Sequence, residues 1–337
     1  MRNKIIRSAP LLILLSICIY IYPQQKNWAV FFTKPDQKKT DAITPQKAVL
    51  QLIKNAQKSI YCAVFDFDDP IIADELIAAK NRNIDIKIVT EKDNIYNEPL
   101  KKLVLSGIAV VADNKAGLMH NKFILIDDEY VWTGSYNLTL NGENKNNNNG
   151  ILIKSKKLYD IYYSEFSEMF DYRVFSNKKD TDVGLLKNKH YVKEDDIAIN
   201  VFFSPDDDIE KNIIKKVKSA EKSIYFMAFS FTSDGIGEEM IKAHKRGLDV
   251  KGVFESRGSG TEYSEYYKMK IEGIDVRKDK NPAYLHHKVI IIDGEWVITG
   301  SYNFSKNAQN KNDENCIFIR NFQIASLYTN EFESLYK

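Results

Sequence analysis

One long polar signature occurs twice in this chain. His120-Asn-Lys122 is followed by four residues, Asp127, six residues and Gly134-Ser135-Tyr136-Asn137; His286-His-Lys288 is followed by four residues, Asp293, six residues and Gly300-Ser301-Tyr302-Asn303. The duplication runs beyond the signature. Lys54-Asn-Ala56-Gln-Lys58-Ser59-Ile60-Tyr61 returns as Lys218-Ser-Ala220-Glu-Lys222-Ser223-Ile224-Tyr225, and Ile84-Asp85-Ile86-Lys87 as Leu248-Asp249-Val250-Lys251. The copies lie 164 residues apart early on and 166 apart from the signature onward, so a two-residue indel separates them. Two copies of this length predict a pseudo-twofold pair of lobes and not a solenoid, because each is large enough to own a core.

Each copy alternates strand and helix. Strands are expected at Trp28–Thr33 and Asn200–Ser204, then helices carrying Ala48, Val49, Leu52, Ile53 and Ala56 on one stripe, or Ile213, Ile214, Val217 and Ala220. Nearly continuous apolar runs at Ser59–Phe67 and Ser223–Phe231 predict strands covered on both faces. Helices near Ile71–Asn81 and Gly237–Arg246 lead to strands at Ile84–Val89 and Leu248–Phe254. The expected fold class is α/β, with two pseudo-twofold-related α/β sandwich lobes and one active site between them. The expected lobes are residues 26–180 and 181–337.

Before them, Arg2, Lys4 and Arg7 precede an apolar run from Leu11 to Tyr22, the pattern of an export signal. At about a dozen residues it is short for a spanning helix, which needs roughly 20. Ile21-Tyr22-Pro23 lacks the small residues a signal peptidase prefers, so an uncleaved signal-anchor over residues 1–25 is the alternative. The whole chain carries 48 basic against 46 acidic residues, and removal of residues 1–25 would leave 45 against 46. Such a balance argues against a surface built to coat nucleic acid, although a local basic groove is compatible with it. Cys62 and Cys316 sit in apolar runs of different lobes with no zinc or disulfide spacing, and are expected to be buried core residues.

The signature itself reads as a hairpin turning at Asp127-Asp128 and Asp293-Gly294. With a two-residue loop, His120 would fall opposite Ser135 and His286 opposite Ser301. His and Lys, two apart on one strand, and Ser and Asn, two apart on the other, would then share a face. Asp127 and Asp293 have the opposite parity and suit the turn framework better than the reacting atom. Lysine charge with Ser135, Asn137, Ser301 and Asn303 as hydrogen-bond donors can cradle a phosphate, and histidine can supply a nucleophile or an acid-base. A lone His-x-Lys is usually an ordinary packed pair; repetition with Gly-Ser-x-Asn at fixed distance changes that. Metal binding is disfavoured, because acidic or cysteine ligands at usual spacing are missing and the lysines repel a cation. His287, His190 and His244 are expected to be structural or solvated, and Asn146–Asn149 a polar loop.

On these residues the chain resembles the phospholipase D superfamily, whose pattern H-x-K-x(4)-D-x(6)-G-S-x-N both copies match completely. Phe202-Phe203-Ser204-Pro205 and Ala220-Glu-Lys-Ser-Ile224 are similar to the small branch of bacterial nucleases and mitochondrial cardiolipin hydrolases. The resemblance implies catalytic His120, Lys122, Asp127, His286, Lys288 and Asp293, and phosphate contacts from Ser135, Asn137, Ser301 and Asn303. It also implies a phosphohistidine intermediate, no metal and no cofactor, and a monomer, since both motifs sit in one chain. An acidic residue usually follows Gly-Ser-x-Asn in the family. Glu314 fits in the second copy, whereas the first has Asn148 there. Glu314 is therefore expected beside His286, raising its pKa and suiting it as the acid, with His120 as nucleophile.

The function expected is an exported hydrolase of phospholipid phosphodiester bonds, secreted or periplasmic, with anchoring by the N-terminal segment as the alternative to release. A metal-independent endonuclease of the same mechanism is the rival. A transphosphatidylase or a non-catalytic binding module fits less well, because both motifs are intact and the apolar N-terminal run is short.

Overall fold

The computed structural model describes residues 26–35, 42–114, 117–176 and 190–337. The expected signal or anchor at residues 1–25 and the lobe boundary at 180/181 lie outside the described residues. No helix among the described residues is long and apolar enough to cross a membrane.

The first repeat runs β1 (Trp28–Phe32), α1 (Pro45–Asn55), β2 (Ser59–Val64), α2 (Pro70–Asn81), β3 (Asp85–Thr90), α3 (Glu98–Leu105), β4 (Ala109–Ala112), β5 (Lys122–Ile126), β6 (Tyr130–Gly134), α4 (Leu140–Asn144), β7 (Asn149–Lys154) and α5 (Lys156–Phe170). The second adds a short edge strand, β8 (Tyr191–Glu194). It then repeats the order as β9 (Ile197–Ser204), α6 (Ile209–Lys218), β10 (Ser223–Ala228), α7 (Asp234–Lys245), β11 (Asp249–Phe254), α8 (Glu265–Ile271), β12 (Asp275–Lys278), β13 (Lys288–Ile292), β14 (Trp296–Gly300), α9 (Lys306–Asn310), β15 (Glu314–Arg320) and α10 (Phe322–Leu335). Helix starts follow local chemistry. Asp69 and Ser233 accept backbone N–H bonds at the heads of α2 and α7, and Pro45 and Pro70 occupy first-turn positions where the missing N–H costs nothing.

Two mixed sheets result, in the orders β1-β7-β6-β5-β2-β3-β4 and β12-β11-β10-β13-β14-β15-β9-β8. Strands β2, β3 and β4 are parallel, joined by helices, whereas β5, β6 and β7 form an antiparallel meander. The outer face of each sheet packs on its own helices: α1 to α3 in the first lobe and α6 to α8 in the second. The inner faces share one core, in which Phe123, Leu125 and Ile151 meet Val289, Ile291 and Ile317 together with apolar faces of α5 and α10. Burial on both faces accounts for the unbroken apolar runs of the central strands. Each repeat therefore owns an outer core and half of an inner one, so the two lobes are held together by apolar burial as well as by chain connection. Cys62 and Cys316 are buried free thiols, as expected.

The signature hairpins differ from expectation by one residue. Ile126 pairs with Tyr130 and Phe123 with Thr133, and Ile292 pairs with Trp296. The turn has positive φ at both central residues, 55° and 63° at Asp127 and Asp128, and closes through Glu129 N–H to the Ile126 carbonyl. Glu129 is then an additional bulged residue, as is Glu295 in the second copy. In the ladder Lys122 thus aligns with Gly134, and the predicted pairing of His120 with Ser135 does not form.

Candidate active site

Glycine makes the site geometry at the ends of β6 and β14. Gly134 and Gly300 have φ of +149° and +137°, and a Cβ there would lie 2.4 and 2.3 Å from the carbonyl oxygens of Asn149 and Asn315. This close approach turns the chain so that Ser135 and Ser301 point back into the protein. Ser135 Oγ donates to Asn148 Oδ1 at 3.0 Å and accepts from Asn149 N, and Ser301 Oγ accepts from Asn315 N at 3.0 Å. The two serines, expected to bind phosphate, are spent on holding the following strand. Asn137 and Asn303 keep a buried side-chain oxygen without a partner, and Asn303 lines a cavity that first-lobe residues Glu91, Asp93 and Leu118 also line.

The motif aspartates sit at the far end of their hairpins from the histidines. Asp127 accepts backbone N–H bonds from Gln57, Lys58 and Ser59, and Asp293 from Glu221, Lys222 and Ser223. Both clamp the turn before a central strand, which corrects their expected placement among catalytic residues and agrees with their parity.

The histidines are brought together by exchange between the lobes. His120 N–H donates to the Asp313 carbonyl at 3.0 Å, and His286 N–H to the Asn147 carbonyl at 2.9 Å. Each histidine is thus tied to the segment that follows the other lobe's signature. His120 Nδ1 lies 2.7 Å from Glu314 Oε2, and His286 Nδ1 lies 2.9 Å from Asn148 Oδ1 and 3.1 Å from the Ser135 carbonyl. The expected contact of Glu314 with His286 is therefore overturned: sequence offset gives the equivalent position within a lobe, but the swap at the interface delivers the carboxylate to the opposite lobe's histidine. Neither ring's Nε2 hydrogen-bonds to the described residues.

Lys122 Nζ and Lys288 Nζ each donate to the carbonyl of their own motif histidine, at 2.6 and 2.9 Å. Burial pushes Lys122 down to about 7 and Lys288 well below its ordinary range. Burial also lifts the Glu314 carboxyl to about 7, against the pull of Lys122. Burial, Lys122 and Lys288 hold His120 well below its ordinary value, and burial, Lys288, Lys122 and His120 do the same for His286. Each ring feels the other lobe's lysine, so all four groups share one buried site. Two buried lysines beside one carboxylate favour an anionic ligand, which would hold both amines protonated.

Several contributors escaped the sequence analysis. Phe65 and Phe229 stand edge-on to His120 and His286 at 4.7 Å each, with Lys122 and Lys288 over their rings. Asn149 and Asn315, far from being a loop or ordinary strand positions, are buried hubs. Asn315 Oδ1 accepts from Thr133 and Tyr162 of the first lobe, and Asn149 Oδ1 from Thr299 and Tyr328 of the second. All four of these pairs are identical between the copies, which is the signal that could have found them. His287 is fully buried against Asn149 and Glu331, and His190 stacks on Phe202, both framework roles. For a metal, one acidic group among the described residues has suitable geometry: Glu165, Glu168 and Asp206, none of them a signature residue.

Comparison with known proteins agrees with this geometry. A family model described as "Cardiolipin synthase, PLD-like domain" matches residues 49–170 and 213–336, one copy on each lobe. A phospholipase D of Rickettsia typhi is 36% identical over 130 residues, which is 39% of this chain and 64% of that protein. A phospholipase D of Rickettsia conorii is 32% identical over 189 residues, 55% of this chain and 94% of that protein. The chain thus spans just under two thirds of the first relative's length. A crystal structure of phosphatidylserine synthase from Haemophilus influenzae covers 86% of this chain and 83% of its own, with a TM-score of 0.66 and 14% identity, a likeness of fold. With the family model covering most of the chain and both lobes carrying the complete signature, the protein belongs to the phospholipase D superfamily.

Proposed function

We propose that this chain is an exported, monomeric phosphodiesterase that hydrolyses phospholipid phosphodiester bonds through a phosphohistidine on His120. The observation that carries this reading is the pair of imidazoles held through Nδ1, by Glu314 on one side and by neutral oxygens on the other, beside two buried lysines. A carboxylate on Nδ1 keeps the proton there, leaves the Nε2 lone pair for attack, and stabilises the cation formed when Nε2 bonds to phosphorus. This supports keeping His120 as the nucleophile, for a different reason from the one the sequence suggested.

The bond from His120 Nε2 to phosphorus forms as the bond from phosphorus to the head-group oxygen breaks. His286, protonated once the bound phosphate offsets the lysine charges, gives its Nε2 proton to that oxygen. Water then attacks phosphorus, its proton passes to His286, and the phosphorus–nitrogen bond breaks. Lys122 and Lys288 stabilise charge on the equatorial oxygens.

Cavity charge favours a single phosphate over a polyanion. Three cavities among the described residues, one of which bridges the lobes through Glu91, Asp93 and Asn303, are lined by five carboxylates against four cations. A polynucleotide, with a phosphate at every step, needs a positive excess there. The test is a parallel assay on phospholipid vesicles and on single- and double-stranded nucleic acid, with EDTA present. Head-group release undiminished by EDTA is expected. Cleavage of nucleic acid with no lipid turnover would replace the reading with the endonuclease, and strict dependence on added magnesium or zinc would end both.

A further inference from the structure

Asn148 stands where the second copy has Glu314, and His287 stands where the first copy has Asn121. Both Asn148 and His287 are fully buried, and they belong to one hydrogen-bonded chain that ends on His286. Asn148 Nδ2 donates to the Gly142 carbonyl at 3.0 Å, which leaves Oδ1 for Ser135 Oγ and His286 Nδ1. With its single proton on Asn148, Ser135 Oγ can only accept from Asn149, through the backbone N–H at 3.1 Å and through Nδ2 at 3.3 Å. The second hydrogen on Asn149 Nδ2 meets His287 Nδ1 at 3.0 Å, so that ring nitrogen is the acceptor and the proton of the neutral ring sits on Nε2. Burial keeps His287 below its ordinary pKa and so neutral. Glu331 Oε1 stands 3.6 Å from Nε2, too far for a hydrogen bond, yet its charge favours an N–H there, and Lys34 Nζ holds the other carboxylate oxygen at 2.5 Å. In the other half, Asn121 Oδ1 takes the equivalent bond from Asn315 Nδ2 at 2.9 Å, but the group seated on the opposite histidine is the Glu314 carboxylate, whose two oxygens both accept and need no orienting. The imidazole thus occurs in the half where an amide must present one particular atom.

We propose that His287 is a positioning residue for His286: as a fixed acceptor for Asn149 it commits the Ser135 proton to Asn148, so that the Asn148 oxygen stays on His286 Nδ1 and Nε2 is left to face the leaving oxygen. The inference rests on the reading of His286 as the acid. Loss of the acceptor at position 287 frees the Asn149 amide to turn, because the Thr299 and Tyr328 hydroxyls on its other side can accept as well as donate. The Asn149 oxygen then competes for the Ser135 proton, and Asn148 loses one of the bonds that orient it.

Imidazole nitrogen NMR spectra read the tautomers directly. His287 is expected as the Nε2–H form and His286 as the Nδ1–H form; His287 as the Nδ1–H form would overturn the proposal. Rates on diphenyl phosphate, whose phenol needs a proton as it leaves, are then compared with rates on bis(p-nitrophenyl) phosphate, whose leaving group departs with little help. His287→Leu should lower kcat/KM roughly tenfold on the first ester and less than about twofold on the second. His287→Asn, which installs the first-lobe residue and keeps an acceptor, should stay within about threefold of the wild type on both. Glu331→Gln, a milder change that decides the matter if His287→Leu does not fold, should show the same dependence on leaving group, and should have no effect when added to His287→Asn. Equal losses on both esters, or a His286 tautomer unaltered in His287→Leu and Glu331→Gln, would overturn the positioning role. A wild type that cleaves neither ester would instead remove the phosphodiesterase reading, with the tautomers still deciding the role of His287.

Discussion

Lys122 offers a test in which activity and stability should move in opposite directions. Its ammonium is buried, and its pKa falls from 10.5 to about 7. A depression of that size corresponds to ~4 kcal/mol of folding free energy lost at pH 7, at 1.36 kcal/mol per pH unit. Lys122→Met keeps the length of the side chain and removes the charge. It also forfeits the hydrogen bond to the His120 carbonyl, worth about 1 kcal/mol, and the attraction to Glu314. A net gain of about 1–3 kcal/mol is expected, which for a chain of this size is a rise in Tm of roughly 1–4 °C. The sign of the pH dependence follows from a folded pKa below the unfolded one. The destabilisation is absent above pH 10.5, grows as pH falls toward 7, and is constant below that. Calorimetry from pH 7 to 10 should therefore show the variant ahead at pH 7 and the gap closing toward pH 10, with kcat/KM down by a factor of 10² or more. Vanadate or phosphate should raise the Tm of the wild type more than that of the variant. A variant less stable at pH 7, or a gap unchanged with pH, would refute the claim that burial of this lysine depresses its pKa at the expense of the fold.

Glu314→Gln should lower kcat and also change the pH profile. The wild-type carboxylate becomes protonated as pH falls through about 7, so activity should decline on that acid side, and the variant, already slow, should lack that limb. An unchanged acid limb in initial-rate measurements would exclude Glu314 as its source. Asp127→Asn weakens a clamp on three backbone N–H groups, so chemical denaturation should show a loss of about 1–3 kcal/mol with kcat per folded molecule within about twofold of wild type. A large fall in kcat without loss of stability would return Asp127 to the catalytic machinery.

Much of this architecture was legible because duplication is a long-range signal that needs no structural model. Repeat offsets, apolar runs and turn residues placed the main strands and helices and the four charged motif residues. Legibility failed where neighbouring lobes exchange contacts. Glu314 and Asn148 occupy equivalent sequence positions, and only the packing of the two sheets shows that each reaches the other lobe's histidine. A single bulged residue, Glu129, moved the hairpin register, and no composition rule announces it. The run Asn146–Asn149 read as a solvated loop because asparagine is usually exposed. Here Asn148 and Asn149 are fully buried, and their contacts with His286, His287 and Thr299 come from residues distant in sequence.

Trapping the covalent intermediate tests the mechanism most directly. A phosphodiester with a good leaving group is mixed with His286→Asn or with His120→Asn, and the alkali-stable phosphorylated residue is identified by peptide mass spectrometry. Loss of the acid at His286 should leave attack intact and slow the second step, so the label should accumulate on His120 in the first variant and be absent from the second. Label on His286 in the wild-type protein, or full turnover in His120→Asn, would contradict the account.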